Sequence, residues 1–465
     1  LHWVDPTTQE LLTLIVAQVA TVRLLALLTA RFHFRAPWQI HSHLTPIVLT
    51  RLTRRQAGEL VTHVAGTRAL AAEVVSQIVA RTDGVPLYVE ELTKMVVETG
   101  LAQASPGDPE SAGAARSPAI PATLQDSLMA RLDRLNGGKA VAQLCATLGR
   151  EFSYALLRAV SDLDDVALDR ELDRLVEAEF LYQRGTPPDA TYVFKHALIR
   201  EAAYESLLRS ARRQYHRRNA LALVSQFAAE SAAQPEYVAM QFTEAGELGE
   251  AVRWWQSAGR RAFSRAAYAE AAVHYTKGLA LLTSTPGSAE RDQRELELQV
   301  ELGYALIPVR GWSAAETAKA FTRAGDLCRS IGETPAHFRA RWGLGAFHFV
   351  RGDQRKARRI AEQCVAAARQ SNDVDARMEA HLLNGIVSCV TGEFVAAQRE
   401  LDACVRIHGA EPREAHRVLY GQDARASALG WIAMARWTCG QADEALAIAE
   451  EGLAFVRDAR QPFLL

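Results

Sequence analysis

The pattern of apolar and polar positions changes character along the chain. An apolar run from Leu11 to Ala30 divides into a helix over 6–20 and a strand over 23–29. Asp5 and Pro6 supply an N-cap and a first helical residue of fixed φ. The continuous apolar stretch Leu24-Leu25-Ala26-Leu27-Leu28-Thr29 predicts a buried parallel strand, and Ile47-Val48-Leu49 predicts a shorter one. Helices are then expected over 53–64, 68–82 and 86–99, the last two parted at Asp83-Gly84. Residues 101–121 are small and polar with four prolines and read as a linker. The next segment, 122–220, predicts helices near 122–135, 138–148, 153–160 and 164–178. Two strands, 180–183 and 191–194, follow around a turn-rich loop, and a further helix begins near Lys195. Helices followed by a short hairpin is the winged-helix pattern.

From 235 to 465 every segment reads as helix, and a repeat emerges. Gly is followed five residues later by Ala at Gly246/Ala251, Gly352/Ala357, Gly392/Ala397 and Gly440/Ala445. Gly311 precedes Gly352 without the matching Ala, and the stretch from Ala267 to Ala272 gives the same turn with Ala in place of Gly. Spacings of about 40 to 48 residues predict stacked helical hairpins, longer than the tetratricopeptide (TPR) repeat of about 34. Gly ends one helix, and the small Ala lets the next pack closely against it. The fold class expected is mainly α: a truncated α/β segment (1–52), a helical lid (53–100), the linker, a winged-helix-like domain and a TPR-like solenoid.

Composition narrows the function classes. A formal net charge of −1 gives no global field for nucleic acid or anionic membrane. Six cysteines without a C-x-x-C pair read as small core positions in a reducing cytoplasm. The 11–30 run carries Gln18, Thr21 and Arg23 near its middle, which argues against a membrane helix. G-x-x-x-x-G-K-[ST] does not occur. Gly137-Gly138-Lys139-Ala140 lacks the hydroxyl residue and reads as a helix–helix turn, so this chain is not expected to hydrolyse ATP. The basic stretch Arg209–Arg218 lies near a helix crowded with acids (Asp164, Asp165, Asp169, Glu171, Asp173, Glu177), which disfavours nucleic acid. His33, His41 and His43 have no Cys or carboxylate at ligand spacing, so no metal is expected there.

A series of motifs remains. His2-Trp3-x-Asp5, Thr29-Ala30-Arg31, Gly84-Val85-Pro86-Leu87, the 120–135 stretch, Gly149-Arg150-Glu151-Phe152 and Phe194-Lys195-His196-Ala197 occur in this order. Together they resemble the bacterial class III adenylate/guanylate cyclases fused to an AAA/STAND-type ATPase and tetratricopeptide repeats. The resemblance covers residues 1 to about 280 well and the repeats by architecture only. It implies a downstream fragment that opens just after the Walker B acids, without the cyclase domain or the P-loop. In such proteins a residue at the strand end faces the γ-phosphate, the lid proline packs on adenine, and a winged-helix histidine reaches the β-phosphate of ADP. Those roles fall on Arg31, Pro86 and His196. The implied cofactor is ATP or ADP with Mg in the longer protein. The implied partner is a protein or small-molecule input at the repeats, and cyclase activity would belong to the parent alone. Without the resemblance, Arg31 reads as a solvated strand terminus, Gly84-Val85-Pro86 as a helix break and His196 as a packed helix residue. Two other functions stay open: an interaction scaffold without nucleotide, and a fragment of a MalT-like transcription regulator.

Overall fold

The computed structural model describes residues 4–31, 34–38, 43–68, 70–98, 123–135, 137–331, 335–410, 413–420 and 422–458. The expected linker, His2, Trp3, His33 and His41 lie outside them. The chain divides into two compact units. One is Leu1–Gln39 with Ala233–Met240 and Leu248–Leu465; the other is Ile40–Ala232 with Gln241–Glu247.

Helix α1 (Pro6–Gln18) starts as anticipated, with the Asp5 carboxylate accepting from the Thr8 N–H at 2.8 Å. The two strands expected next are not formed. Residues 24–31 and 44–53 carry no regular element, and Leu25, Leu27, Val48 and Leu49 are between 82% and 95% exposed. A buried strand exists only through its ladder partners, and among the described residues none pairs with either segment.

Helices α2 (Arg54–Ala65), α3 (Ala72–Thr82) and α4 (Pro86–Glu98) bury Ala57, Val61, Ile78, Val89 and Leu92 between them. Thr53 and Gln56 close a capping box at the start of α2. Asp83 and Gly84 both have positive φ between α3 and α4. The Leu52 N–H donates to the Gly84 carbonyl at 2.8 Å, and a Cβ on Gly84 would run into the Leu52 carbonyl oxygen. Glycine is therefore required there by both torsion and space.

The second part of this unit runs through α5 (Leu124–Asp133), α6 (Gly138–Leu148), β1 (Glu151–Ser153), α7 (Tyr154–Val160), α8 (Asp165–Glu177), β2 (Leu181–Arg184), β3 (Thr191–Phe194), α9 (Ala197–Glu205) and α10 (Arg209–Gln226). The sheet is antiparallel with order β1-β3-β2; Phe152 pairs with Tyr192 and Leu181 with Phe194. Strand β1 was not anticipated. At three residues it is too short for alternation to show in the sequence. The basic stretch on α10 is engaged within the unit: Arg212 lies over the Tyr204 ring, and Arg218 donates to the Val160 carbonyl at 2.6 Å.

Helices α11 (Ala228–Ala233) and α12 (Pro235–Ala245) lead to the hairpins. These are α13 (Leu248–Ser264) with α14 (Tyr268–Leu282), α15 (Ala289–Arg310) with α16 (Ala315–Ile331), α17 (Pro335–Val350) with α18 (Gln354–Arg369), and α19 (Val374–Val390) with α20 (Phe394–His408). A short α21 (Glu414–Tyr420) precedes the last pair, α22 (Ala424–Thr438) and α23 (Ala442–Asp458). One turn recurs five times, at Gly246, Ala266, Gly352, Gly392 and Gly440, with φ of 80°, 60°, 80°, 82° and 83°. Each time that residue's N–H reaches the carbonyl three back, and the next N–H reaches the carbonyl five back from it. This is a Schellman termination. The alanine five positions on is buried in every case: Ala251, Ala271, Ala357, Ala397 and Ala445.

Small residues set how close the helices come. A Cβ on Gly303 or on Gly343 would press into the Phe321 ring, at 2.7 and 2.4 Å from Cε1, so α15 and α17 clamp that ring through two bare backbones. First helices of neighbouring hairpins also touch, α15 on α17, α17 on α19 and α19 on α22, forming a continuous inner row. Cys364, Cys389 and Cys404 are buried in this array and Cys145 in the other unit, as expected. Cys439 is exposed, because it caps α22 beside the Gly440 turn. Among the described residues no helix is long and apolar enough to cross a membrane.

Candidate functional site

The unit containing α2–α10 holds a charged clasp built from three separate elements. Helix α4 presents Glu90 and Lys94 one turn apart, the spacing that favours an ion pair, and Lys94 Nζ lies 2.7 Å from Glu90 Oε1. The turn after α8 brings in Glu179, at φ 59°. The residue after β3 brings in Lys195, whose Nζ lies 2.9 Å from Glu90 and 2.7 Å from Glu179; Lys94 also pairs with Glu179. The two lysines donate to Glu179 and pull its carboxyl down to about 2. Burial alone would lower Lys195, but the bonds to Glu179 and Glu90 push it up.

Behind this quartet sits a drier pair. Arg131 of α5 and Glu91 of α4 are 3% and 1% exposed and bonded to each other. Arg131 also reaches Glu98 at 2.8 Å and the Ala178 carbonyl at 3.0 Å, and its guanidinium lies 4.9 Å over the Phe180 ring. Each of its three guanidinium nitrogens donates to an acceptor, which is what makes burying the cation tolerable.

Two of the three residues singled out by sequence adjoin this clasp. Pro86 is the exposed first residue of α4. His196 is the N-cap residue of α9, half-buried, and its side chain makes no capping hydrogen bond. Burial holds its imidazole below the usual value, with Glu90 and Glu91 of α4 pulling the other way. Arg31 belongs to the other unit, in the segment without a strand ladder, and is exposed. The clasp residues themselves were missed. The one legible signal was the Glu90/Lys94 spacing; Glu179, Arg131 and Lys195 are joined to it only by tertiary packing. Among the described residues no group of three or more His, Cys, Asp or Glu could hold a metal ion.

No family model matches the chain. An uncharacterised protein of Rhizobium meliloti (strain 1021) is 25% identical over 468 residues, a match that takes in 98% of this chain and 44% of that protein. The chain therefore spans less than half the length of the curated relative it matches. Among solved structures, a STAND protein (signal transduction ATPase with numerous domains) with a tetratricopeptide repeat sensor from Pyrococcus horikoshii aligns over 88% of this chain and 61% of its own, at 12% identity and TM-score 0.36. TPR-like repeats of a kinesin light chain from Podospora anserina align over 45% of this chain and 97% of their own, at 18% identity and TM-score 0.35. Scores this low carry no conclusion about this chain.

Proposed function

We propose that the chain is the regulatory part of a larger nucleotide-switch signalling protein. In this reading the hairpin array receives a protein partner, and the unit around α4 and α9 responds to ATP or ADP. The array carries the first half. First helices of successive hairpins lie side by side and offer one continuous row of side chains, the kind of surface on which stacked repeats hold partners. The nucleotide half extends the resemblance read from the motifs. Its support is local: Pro86 is exposed at the head of α4, and His196 leaves its own helix N-terminus uncapped, where an anion is favoured. Mg would accompany the nucleotide, and a cyclase would be the output of the longer protein. The sheet with its flanking helices would act as the winged helix of the switch. Free thiols suit a cytoplasmic setting.

One observation favours a scaffold without nucleotide. Lys94 and Lys195, the cations nearest His196, are already engaged by Glu90 and Glu179, so a phosphate would have to displace carboxylates. ADP affinity of the longer protein decides between the readings. Pro86→Ala and His196→Ala should each weaken it, His196→Ala by about tenfold for a charge-assisted bond of roughly 1.5–3 kcal/mol. Unchanged affinity in both would leave the unit a scaffold. Cross-linking of the partner should map to α13, α15, α17, α19 and α22; an even spread over the outer helices would refute the array as its receptor.

A further inference from the structure

The hairpin array departs once from its own rule. Residues 370–373 join α18 to α19, but 409–423 separate α20 from α22 and carry α21. A seven-residue helix cannot hold itself in water; its form comes from what grips it. The grip is the inner row of three successive hairpins. Tyr420 meets Tyr304 of α15 and Trp342 of α17 edge-on, at 6.0 and 6.1 Å. Arg339 of α17 donates to the Leu419 carbonyl at 2.7 Å. His416 stacks on Tyr420 and brings Nε2 to 2.9 Å from Glu379 Oε1 of α19. Arg413, just before α21, pairs with Asp375 at 2.8 Å.

Glu379 is fully buried and His416 nearly so. A buried carboxylate needs a cation and donors, and the Glu379 carboxylate meets His416 and, at 3.4 Å, the Gln422 amide, both from the 409–423 segment. The match to α21 is also incomplete. Both ring nitrogens of His416 and Oε1 of Glu379 lack a well-angled hydrogen bond. The inner row therefore holds a carboxylate that a better-placed donor would satisfy more fully.

We propose that the surface made by Tyr304, Arg339, Trp342 and Glu379 is the recognition site for a helical segment of the partner protein, and that α21 is its built-in occupant. This rests on the partner-binding half of the proposed function. The chemistry of α21 specifies the guest. It carries an aromatic residue four positions after a histidine, lysine or arginine that faces Glu379, with a second cation three positions earlier for Asp375. Binding requires α21 to leave, so the segment sets a threshold that a guest with a stronger donor overcomes.

The test uses a fluorescein-labelled peptide with the sequence of residues 411–422, titrated into the full chain. The double variant His416→Ala/Tyr420→Ala should bind it at least tenfold more tightly than the wild type, and adding Glu379→Gln should abolish the gain. Equal affinity for the wild type and the double variant, or indifference to Glu379→Gln, overturns the proposal. Should the double variant unfold, hydrogen exchange on the wild type decides. Excess peptide should speed exchange of the 413–420 amides, and unchanged exchange overturns the proposal. A partner cross-linked to the inner row while the peptide fails both assays would sink this groove and leave the broader interaction reading standing.

Discussion

Single residues carry costs that can be read one at a time. Ala266 occupies the turn position that glycine holds four other times, at φ 60°. A Cβ in that region costs roughly 1–2 kcal/mol, partly offset by the unfolded-state entropy that glycine would add. Ala266→Gly should therefore raise stability by about 0.5–1 kcal/mol, seen as a higher denaturation midpoint with unchanged slope. A lower midpoint would mean that the Ala266 methyl packs better than its torsion suggests. His216 offers a pH effect of definite sign. Its Nδ1 lies 2.6 Å from Gln241 Oε1, and the Gln241 amide is oriented by its own donation to the Thr147 carbonyl. Nδ1 therefore donates, and Nε2 lies 3.0 Å from the Tyr204 hydroxyl, which also reaches Glu244 at 3.4 Å. Burial lowers its pKa; Gln241 and Glu244 oppose, and Arg212 and Arg200 assist. A depressed histidine binds its proton more readily in the unfolded chain. Its stability contribution is full above about pH 6.5 and falls as pH drops below that. Unfolding midpoints should decline from there, and His216→Gln should flatten the decline. Some slope will remain, because His196 and His274 are also held low by burial. Glu179 adds a separate loss between its usual value near 4.5 and about 2.

Elements show what periodicity conveys and what it cannot. The helices of the array, and α6 to the residue (Gly138–Leu148), were legible because apolar spacing and glycine stops are local signals. Four of the five equivalent turns were visible as a Gly-to-Ala interval; the one written with alanine was expected over Ala267–Ala272 and lies one residue earlier, at Ala266 and Ala271. The apolar runs at 24–29 and 47–49 misled, because strand-like composition says nothing about a ladder partner. Strand β1 escaped because its ladder lies on β3, some 40 residues downstream. The clasp was hidden for the same reason: Arg131 and Glu91 sit 40 positions apart, and nothing in either neighbourhood announces the other. That pair yields an element-scale prediction. Arg131→Ala would leave Glu91 buried without its cation and loosen α5 from α4, destabilising by about 3–5 kcal/mol. The double change Arg131→Met/Glu91→Leu should recover most of the loss, read by denaturant unfolding. A loss under about 1 kcal/mol would show that the pair is solvated in solution.

The whole chain joins two kinds of cooperativity. The α2–α10 unit closes long sequence separations, so its stability is shared across distant segments. The array is different, since each hairpin touches mainly the hairpins on either side. Hydrogen exchange should follow that division: the amides of α4, α5 and β3 open together, while those of the array open in hairpin-sized groups. A single shared opening free energy across α13–α23 would contradict it. The clamp of Phe321 by Gly303 and Gly343 gives this arrangement a mechanical consequence. Pulled from its two ends, a stack whose hairpins, α21 apart, touch mainly their neighbours yields at its weakest seam, and the α15–α17 seam is sealed by a ring locked between two bare backbones. Under force the array should peel in discrete steps, with the seam at Phe321 among the last to part. Exchanging Phe321 for alanine should move that rupture to the beginning of the trace.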